Sequence, residues 1–178
     1  PAVWQASGTL GAVAAGGRGA VDAGIQTLKK GGNAADAAVA TILALTVTDS
    51  ASVCFGGEVP IMLYNAKRKT VEVIAGQGVA PDLATRAYFV EKGGIPTRGV
   101  ESATVPALLD ACLVTLERAG TMTFAEVVGP TIRLLDAGRF EWNPNLARTL
   151  RRLVEAEKTG DGDRIVGLRR VADAFYRG

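Results

Sequence analysis

"KKGGNAADAAVATILAL", Lys29 to Leu45, sets two glycines and an asparagine in front of a run with almost no polar face. Asn33 is suited to cap a helix, with Asp36 at the third position of its first turn. Beyond Asp36 and Thr41, the run to Leu45 holds only alanine, valine, isoleucine and leucine. A helix that is apolar all round must be buried all round. Its small side chains also let neighbours approach closely. The stretch before it, "GAVDAGIQTLKK" (Gly19 to Lys30), has Ala20, Val21, Ile25 and Leu28 at helical spacing. It ends on two lysines and Gly31, a C-terminal signal: cations answer the helix dipole, and glycine takes the left-handed conformation. The two glycines therefore join two helices tightly, and the second helix enters the middle of the structure.

Working outward, "TLGAVAAG" (Thr9 to Gly16) is a short apolar run bounded by glycines and predicts a buried strand. Downstream, "SVCFGGE" reads as a loop. "VPIMLY" and "TVEVIAG" read as two strands joined by the polar turn "NAKRK". Alternation predicts Val71 and Val73 inward and Glu72 outward. "GQGVAP" (Gly76 to Pro81) is a second glycine-rich loop where the strand ends. From Pro81 the chain turns helical. "TVPALLDACLVTLERAG" runs to Gly120, and Thr123 with Glu126 forms a capping box for "FAEVVGPTIRLLDAG". Pro130 within that helix is expected to kink or split it. "PNLARTLRRLVEA" and "GLRRVADAFYRG" are two more amphipathic helices, separated by the polar "EKTGDGD". Residues 1–178 read as one unit, with strands and a buried helix pair over 1–80 and mostly helix over 81–178.

Composition narrows the function. The chain has 178 residues, 48% of them apolar, with 20 basic against 18 acidic side chains. Near neutrality gives no general reason to expect nucleic acid as a partner. From Arg148 onward eight basic residues face five acidic ones, which reads as a solvated helical face. No stretch reaches the roughly 20 apolar residues of a membrane span, and no secretion signal is legible at the start. A cytoplasmic location is expected, or a periplasmic or secreted one if a signal peptide was removed before Pro1. Pro1 reads either as following a removed initiator Met or as the start of a processed chain. As a true terminus it would offer a secondary amine, although an ordinary chain end is the plainer reading.

Histidine is absent, which removes any histidine triad or histidine metal site. Cys54 and Cys112 lack CxxC spacing, so neither a zinc site nor any other metal site is expected. Sequence leaves open whether they pair or sit apart as small buried groups. Cys54 has no histidine to activate it as a nucleophile. Asp49 and Glu58 could form a carboxylate pair only if the fold brought them together, and read otherwise as solvated or capping groups. "GGNAAD" is not a dinucleotide fingerprint, and "GTLGAVAAGG" lacks the lysine–serine pair of a P-loop. No cofactor is expected. The residues alone give a soluble α/β chain with two glycine loops and no complete active site.

The opening stretch has a second reading. "GAVAAGGRGAVDAGIQTLKKGGNAADAAVATILAL" resembles the amino-terminal part of the γ-glutamyltransferase family, where a "GMVAA" strand leads to an "A..AG..iL..GGNAvDAAvA" helix pair. "PIMLYNAKRKTVEVIAGQGVAP" is similar to the family's "FMLVYDAKTGKVEALDGRETAP". "ATVPALLDACLVTLERAGTMTFAEVVGPTIRLLDAG" and the final "ADAFYRG" also find counterparts in order. The resemblance implies an N-terminal nucleophile hydrolase, an αββα four-layer sandwich of α+β class, of which this chain is the large-subunit part. It implies a precursor that cuts itself, giving a small-subunit partner chain that starts with the threonine nucleophile. The α-amino group of that threonine serves as base, which accounts for the missing histidine. A small-molecule amide is the implied substrate, and a higher oligomer of the heterodimer is left open.

Two departures fall on the loops implied to face substrate. The family's arginine in "DGRETAP", which holds the α-carboxylate of the γ-glutamyl group, is matched by Gln77. Glutamine brings neither charge nor a bidentate fork, and a buried carboxylate losing such a partner binds worse by about 2–5 kcal/mol. The family's "SSGIGGGGFML" is matched by "SVCFGGEVPIM", in which Gly56 and Gly57 remain while Cys54, Phe55, Glu58 and Val59 differ. Gln77, Gly56 and Gly57 are the substrate-binding candidates, with Arg86 or Arg98 as alternative sources of charge. An amide hydrolase for a different acyl group is read ahead of γ-glutamyl transfer. A non-catalytic scaffold and a self-contained nucleotide-binding domain are the rivals from other classes.

Overall fold

The computed structural model describes residues 7–138 and 143–178; Pro1 lies outside them. In chain order come α1 (Arg18–Lys29), α2 (Ala34–Thr48), β1 (Ile61–Asn65), β2 (Thr70–Ile74), α3 (Arg86–Glu91), α4 (Leu108–Ala119), α5 (Phe124–Asp136), α6 (Pro144–Lys158) and α7 (Arg164–Tyr176). The two strands form an antiparallel hairpin, with Ile61 opposite Ile74 and Leu63 opposite Glu72.

The helix–glycine–helix reading holds. Gly31 turns left-handed at φ 92°. The Asn33 side chain accepts from the Ala35 and Asp36 N–H groups, and Asp36 accepts from the Asn33 N–H at 2.9 Å. α2 crosses the interior against α1, α4 and α5. Ala20 and Ala23 of α1 meet Ala44 of α2 in a small core of alanines. The larger core gathers Val39, Leu43 and Val47 with Leu109, Leu116, Phe124, Val128, Leu150 and Leu168. α2 is buried on all sides but one: Ala38, Ile42 and Leu45 stay half-exposed.

Long-range carboxylates fasten the helices. Asp36, fully buried, also accepts from the Thr121 and Met122 N–H groups at 2.9 and 3.1 Å. Glu157 of α6 accepts from Phe124 N–H (2.6 Å) and Ala125 N–H (2.8 Å), the open donors at the start of α5. The Thr123–Glu126 capping box forms as expected. Pro130 does not split α5, which runs unbroken to Asp136.

Two expectations are corrected. No strand forms at Gly11–Ala15 among the described residues, and Leu10 is fully exposed. A strand needs a paired neighbour, and the hairpin is the one sheet described. The segment lies instead along the half-exposed stripe of α2. In β2 the faces are reversed. Val71 and Val73 are exposed, while Glu72 turns to the body and accepts two hydrogen bonds from Arg118 of α4 at 3.0 and 3.1 Å. The hydrogen bond from the Arg118 guanidinium holds the Glu72 carboxyl below its ordinary pKa against the opposing effect of burial, and the Arg68 charge adds to the lowering. A charge partner on α4 thus set the inward face, and Met62, Tyr64, Val71 and Val73 form an outer apolar face.

Candidate active site

Four segments converge where the candidate residues lie. The loop carrying Gly56 and Gly57 is anchored by Val53 and Phe55, which pack on the core, and the Phe55 ring stands 6.2 Å from that of Phe175 in α7. α4 has no side-chain cap. The Gly57 carbonyl supplies one, accepting from Ala107 N–H (3.2 Å) and Leu108 N–H (3.1 Å). Val59 N–H then donates to the Gly76 carbonyl at 2.9 Å, tying the first glycine loop to the second. On the other side Val105 N–H donates to the Val79 carbonyl at 3.0 Å. Gly78 is pinched between them: a Cβ there would lie 1.9 Å from the Val105 oxygen.

Gln77 therefore projects from a loop held on both sides. It is exposed and lines a cavity of about 340 Å³ with Val105, Pro106, Asp110, Asp173, Tyr176 and Arg177. The Tyr176 hydroxyl fixes one wall. It donates to the Pro106 carbonyl (2.8 Å) and accepts from Asp110 N–H (3.2 Å). Burial raises its pKa, with the hydrogen bond from Asp110 N–H acting the other way. Arg177 donates to Asp173 at 2.6 Å. Two carboxylates and one guanidinium line the cavity, a formal charge of minus one.

Gly57 and Gln77 are thus linked through the first turn of α4, whereas Gly56 faces open space. Arg86 lines a different cleft, and Arg98 lines neither cavity. The cation at Gln77 is Arg177, a residue that "ADAFYRG" contained but whose proximity only the fold reveals. Cys54 is exposed and Cys112 fully buried; both are free thiols, and burial pushes Cys112 up to about 12. Asp49 closes α2 beside Gly16, while Glu58 accepts from the Thr104 hydroxyl at 3.2 Å, so different segments hold the two carboxylates. Among the described residues, no cluster of three or more metal-ligating side chains forms, and no helix is long and apolar enough to cross a membrane.

The Gamma-glutamyltranspeptidase family model matches residues 20–177. The Glutathione hydrolase-like YwrD proenzyme of Bacillus subtilis is 37% identical over 112 residues, covering 62% of this chain and 21% of that protein. The Acylase ACY 1 proenzyme of a Pseudomonas species is 34% identical over 176 residues, covering 92% of this chain and 30% of that protein. The structure of gamma-glutamyltranspeptidase from Pseudomonas nitroreducens, complexed with L-DON, matches with a TM-score of 0.72 at 26% identity, over 94% of this chain and 57% of that one. The chain thus spans about a fifth to a third of the length of these curated relatives. Its mixed helix and strand architecture is that of part of the solved neighbour.

Proposed function

The chain belongs to the γ-glutamyltranspeptidase family, and from that premise we propose that it builds one wall of a self-processed amidohydrolase specific for an acyl group other than γ-glutamyl. The threonine nucleophile starts a partner chain cut from the same precursor. Its hydroxyl adds to the amide carbonyl, its α-amino group takes the hydroxyl proton and passes it to the departing amine, and water or a second amine then accepts the acyl group.

The observation that carries the acyl preference is the cavity at Gln77. Glutamine stands where the family's arginine is expected, and the one guanidinium lining the cavity, Arg177, is already paired with Asp173. With Asp110 added, the cavity opposes a second carboxylate rather than attracting one. The similarity to an acylase proenzyme over 92% of the chain supports the same reading. The partner chain is supported by an uncovered apolar surface, the outer face of the hairpin. γ-Glutamyl transfer is the second reading, favoured by the 37% identity to a glutathione hydrolase-like proenzyme.

The test is intact mass and amino-terminal sequencing of every chain of the full-length protein, followed by assay on γ-glutamyl and simple N-acyl anilides. A companion chain starting with Thr and faster cleavage of the non-glutamyl anilides are expected. Faster cleavage of the γ-glutamyl substrate would overturn the acyl preference. An uncut, inactive protein would leave a scaffold that kept the fold.

A further inference from the structure

We propose that the apolar cleft beside the Gln77 cavity is an acyl-chain subsite for an apolar chain carrying an anionic group. The inference rests on the acylase reading above and names the substrate class for the same site.

The cleft holds about 680 Å³, within the range of roughly 300–1,000 Å³ usual for small-molecule sites. Ala84, Phe89, Val90 and Ile95 supply its apolar walls. Val90 and Ile95 are 63% and 65% exposed, and α3 buries none of its residues. Apolar surface gathered in a concavity, rather than scattered singly, marks a place where something binds. Its charge says what. Glu101, at the rim, is taken up by Lys92 and by the Tyr88 hydroxyl at 2.6 Å, so its carboxylate is matched within the protein. Arg86 also lines the cleft and forms no ion pair or hydrogen bond among the described residues. Apolar walls with one unmatched guanidinium complement an amphiphilic anion.

Position ties the cleft to the chemistry. Ala80, Pro81 and Thr104 line the cleft, while Val79 and Val105 line the Gln77 cavity. The two linings are thus neighbours in the chain at Val79–Ala80 and at Thr104–Val105, where Val105 N–H donates to the Val79 carbonyl. An acyl group whose amide lies on the Gln77 side extends its chain over that bridge onto Phe89, Val90 and Ile95.

The experiment uses the full-length processed protein and a series of N-acyl anilides from acetyl to octanoyl, each with and without a terminal carboxylate. The expected result is a kcat/KM at least tenfold higher for the carboxylated octanoyl anilide than for the acetyl anilide. Ile95→Trp should lower that ratio about tenfold. Arg86→Ala should lower it for the carboxylated substrate and spare the ratio for the neutral one. A ratio that neither variant moves overturns the subsite. Direct binding of dansyl-labelled octanoate separates this failure from that of the acylase reading. If no amide is cleaved, saturable binding weakened about tenfold by both variants still supports the subsite, and unweakened binding overturns it. Maleimide labelling at Ile95→Cys that is blocked in the whole protein without ligand would show that its own chain fills the cleft, and would also overturn the proposal.

Discussion

The Asp36 carboxylate holds Thr121 twice, accepting from its hydroxyl at 2.7 Å and from its N–H at 2.9 Å, although 85 residues separate them. The same fully buried side chain caps its own helix through Asn33 N–H. One carboxylate thus starts α2 and fixes the turn between α4 and α5. Asp36→Ala leaves these buried donors unmatched, and Asp36→Asn replaces acceptors by an amide that also donates. We predict a loss of about 3–5 kcal/mol for the alanine variant and somewhat less for asparagine. Urea denaturation of the full protein measures it. A loss below about 1 kcal/mol would show that water can replace the carboxylate there.

Gln77→Arg tests the acyl preference directly. A guanidinium on the same pinned loop would turn the cavity's formal charge from minus one to zero and add a bidentate donor. The expected outcome is a rise of tenfold or more in kcat/KM on γ-glutamyl anilide, expressed in KM before kcat, with a fall on the preferred acyl substrate. The 2–5 kcal/mol assigned to such a partner is an upper bound on the gain, because Asp110 and Asp173 stay in place. An unchanged γ-glutamyl activity would remove Gln77 from the specificity determinants.

What was legible in the sequence divides by distance along the chain. The Asn33–Asp36 and Thr123–Glu126 boxes, the Gly31 stop and the hairpin turn all join residues a few positions apart, and residue types declare them. Asp36 was legible as a cap but not as the anchor of Thr121. Period-two alternation showed that Glu72 and Val73 face opposite ways, but Arg118, 46 residues on, decided which way was inward. The site divides in the same fashion. Gln77 and Gly57 stood out by departure from, or agreement with, a motif. The cavity that joins Gln77 to Tyr176 and Arg177 exists only once α7 packs on α4.

Tyr176 gives a pH prediction. Burial raises its pKa above the ordinary tyrosine value, so its neutral form is the one the fold favours. A raised acid contributes stability that is present below the unfolded pKa of about 10 and is lost as pH rises through the folded value. The wild-type protein should lose stability above about pH 10, and Tyr176→Phe should flatten that alkaline limb. At neutral pH the variant should cost about 1 kcal/mol, from the lost bonds to Pro106 and Asp110. Thermal melts from pH 7 to 11 check both.

Gly78→Ala should damage the site more than the core. Its Cβ would fall 1.9 Å from the Val105 oxygen and 2.6 Å from the Thr104 hydroxyl, so the bridge between Val79 and Val105 must open. A cost of about 1–3 kcal/mol is expected, concentrated in hydrogen exchange at residues 76–79 and 104–106. Activity should fall with any acyl substrate, unlike the selective effect of Gln77→Arg.

Val73→Lys tests the covering of the hairpin. Val73 pairs with Met62 across the sheet, and both are exposed, at 64% and 74%. If the partner chain packs on this face, a lysine there must be buried against apolar side chains without a counter-ion, a penalty of several kcal/mol. The full-length protein should then self-cleave slowly or fail to keep its two chains together, as read by denaturing gels and size-exclusion chromatography. Lys67, in the exposed turn of the same hairpin, provides the control: Lys67→Glu also changes charge on β1–β2 but touches no apolar face. Equal behaviour of the two variants would mean that the outer face stays in water. Damage confined to Val73→Lys would place the partner chain on it.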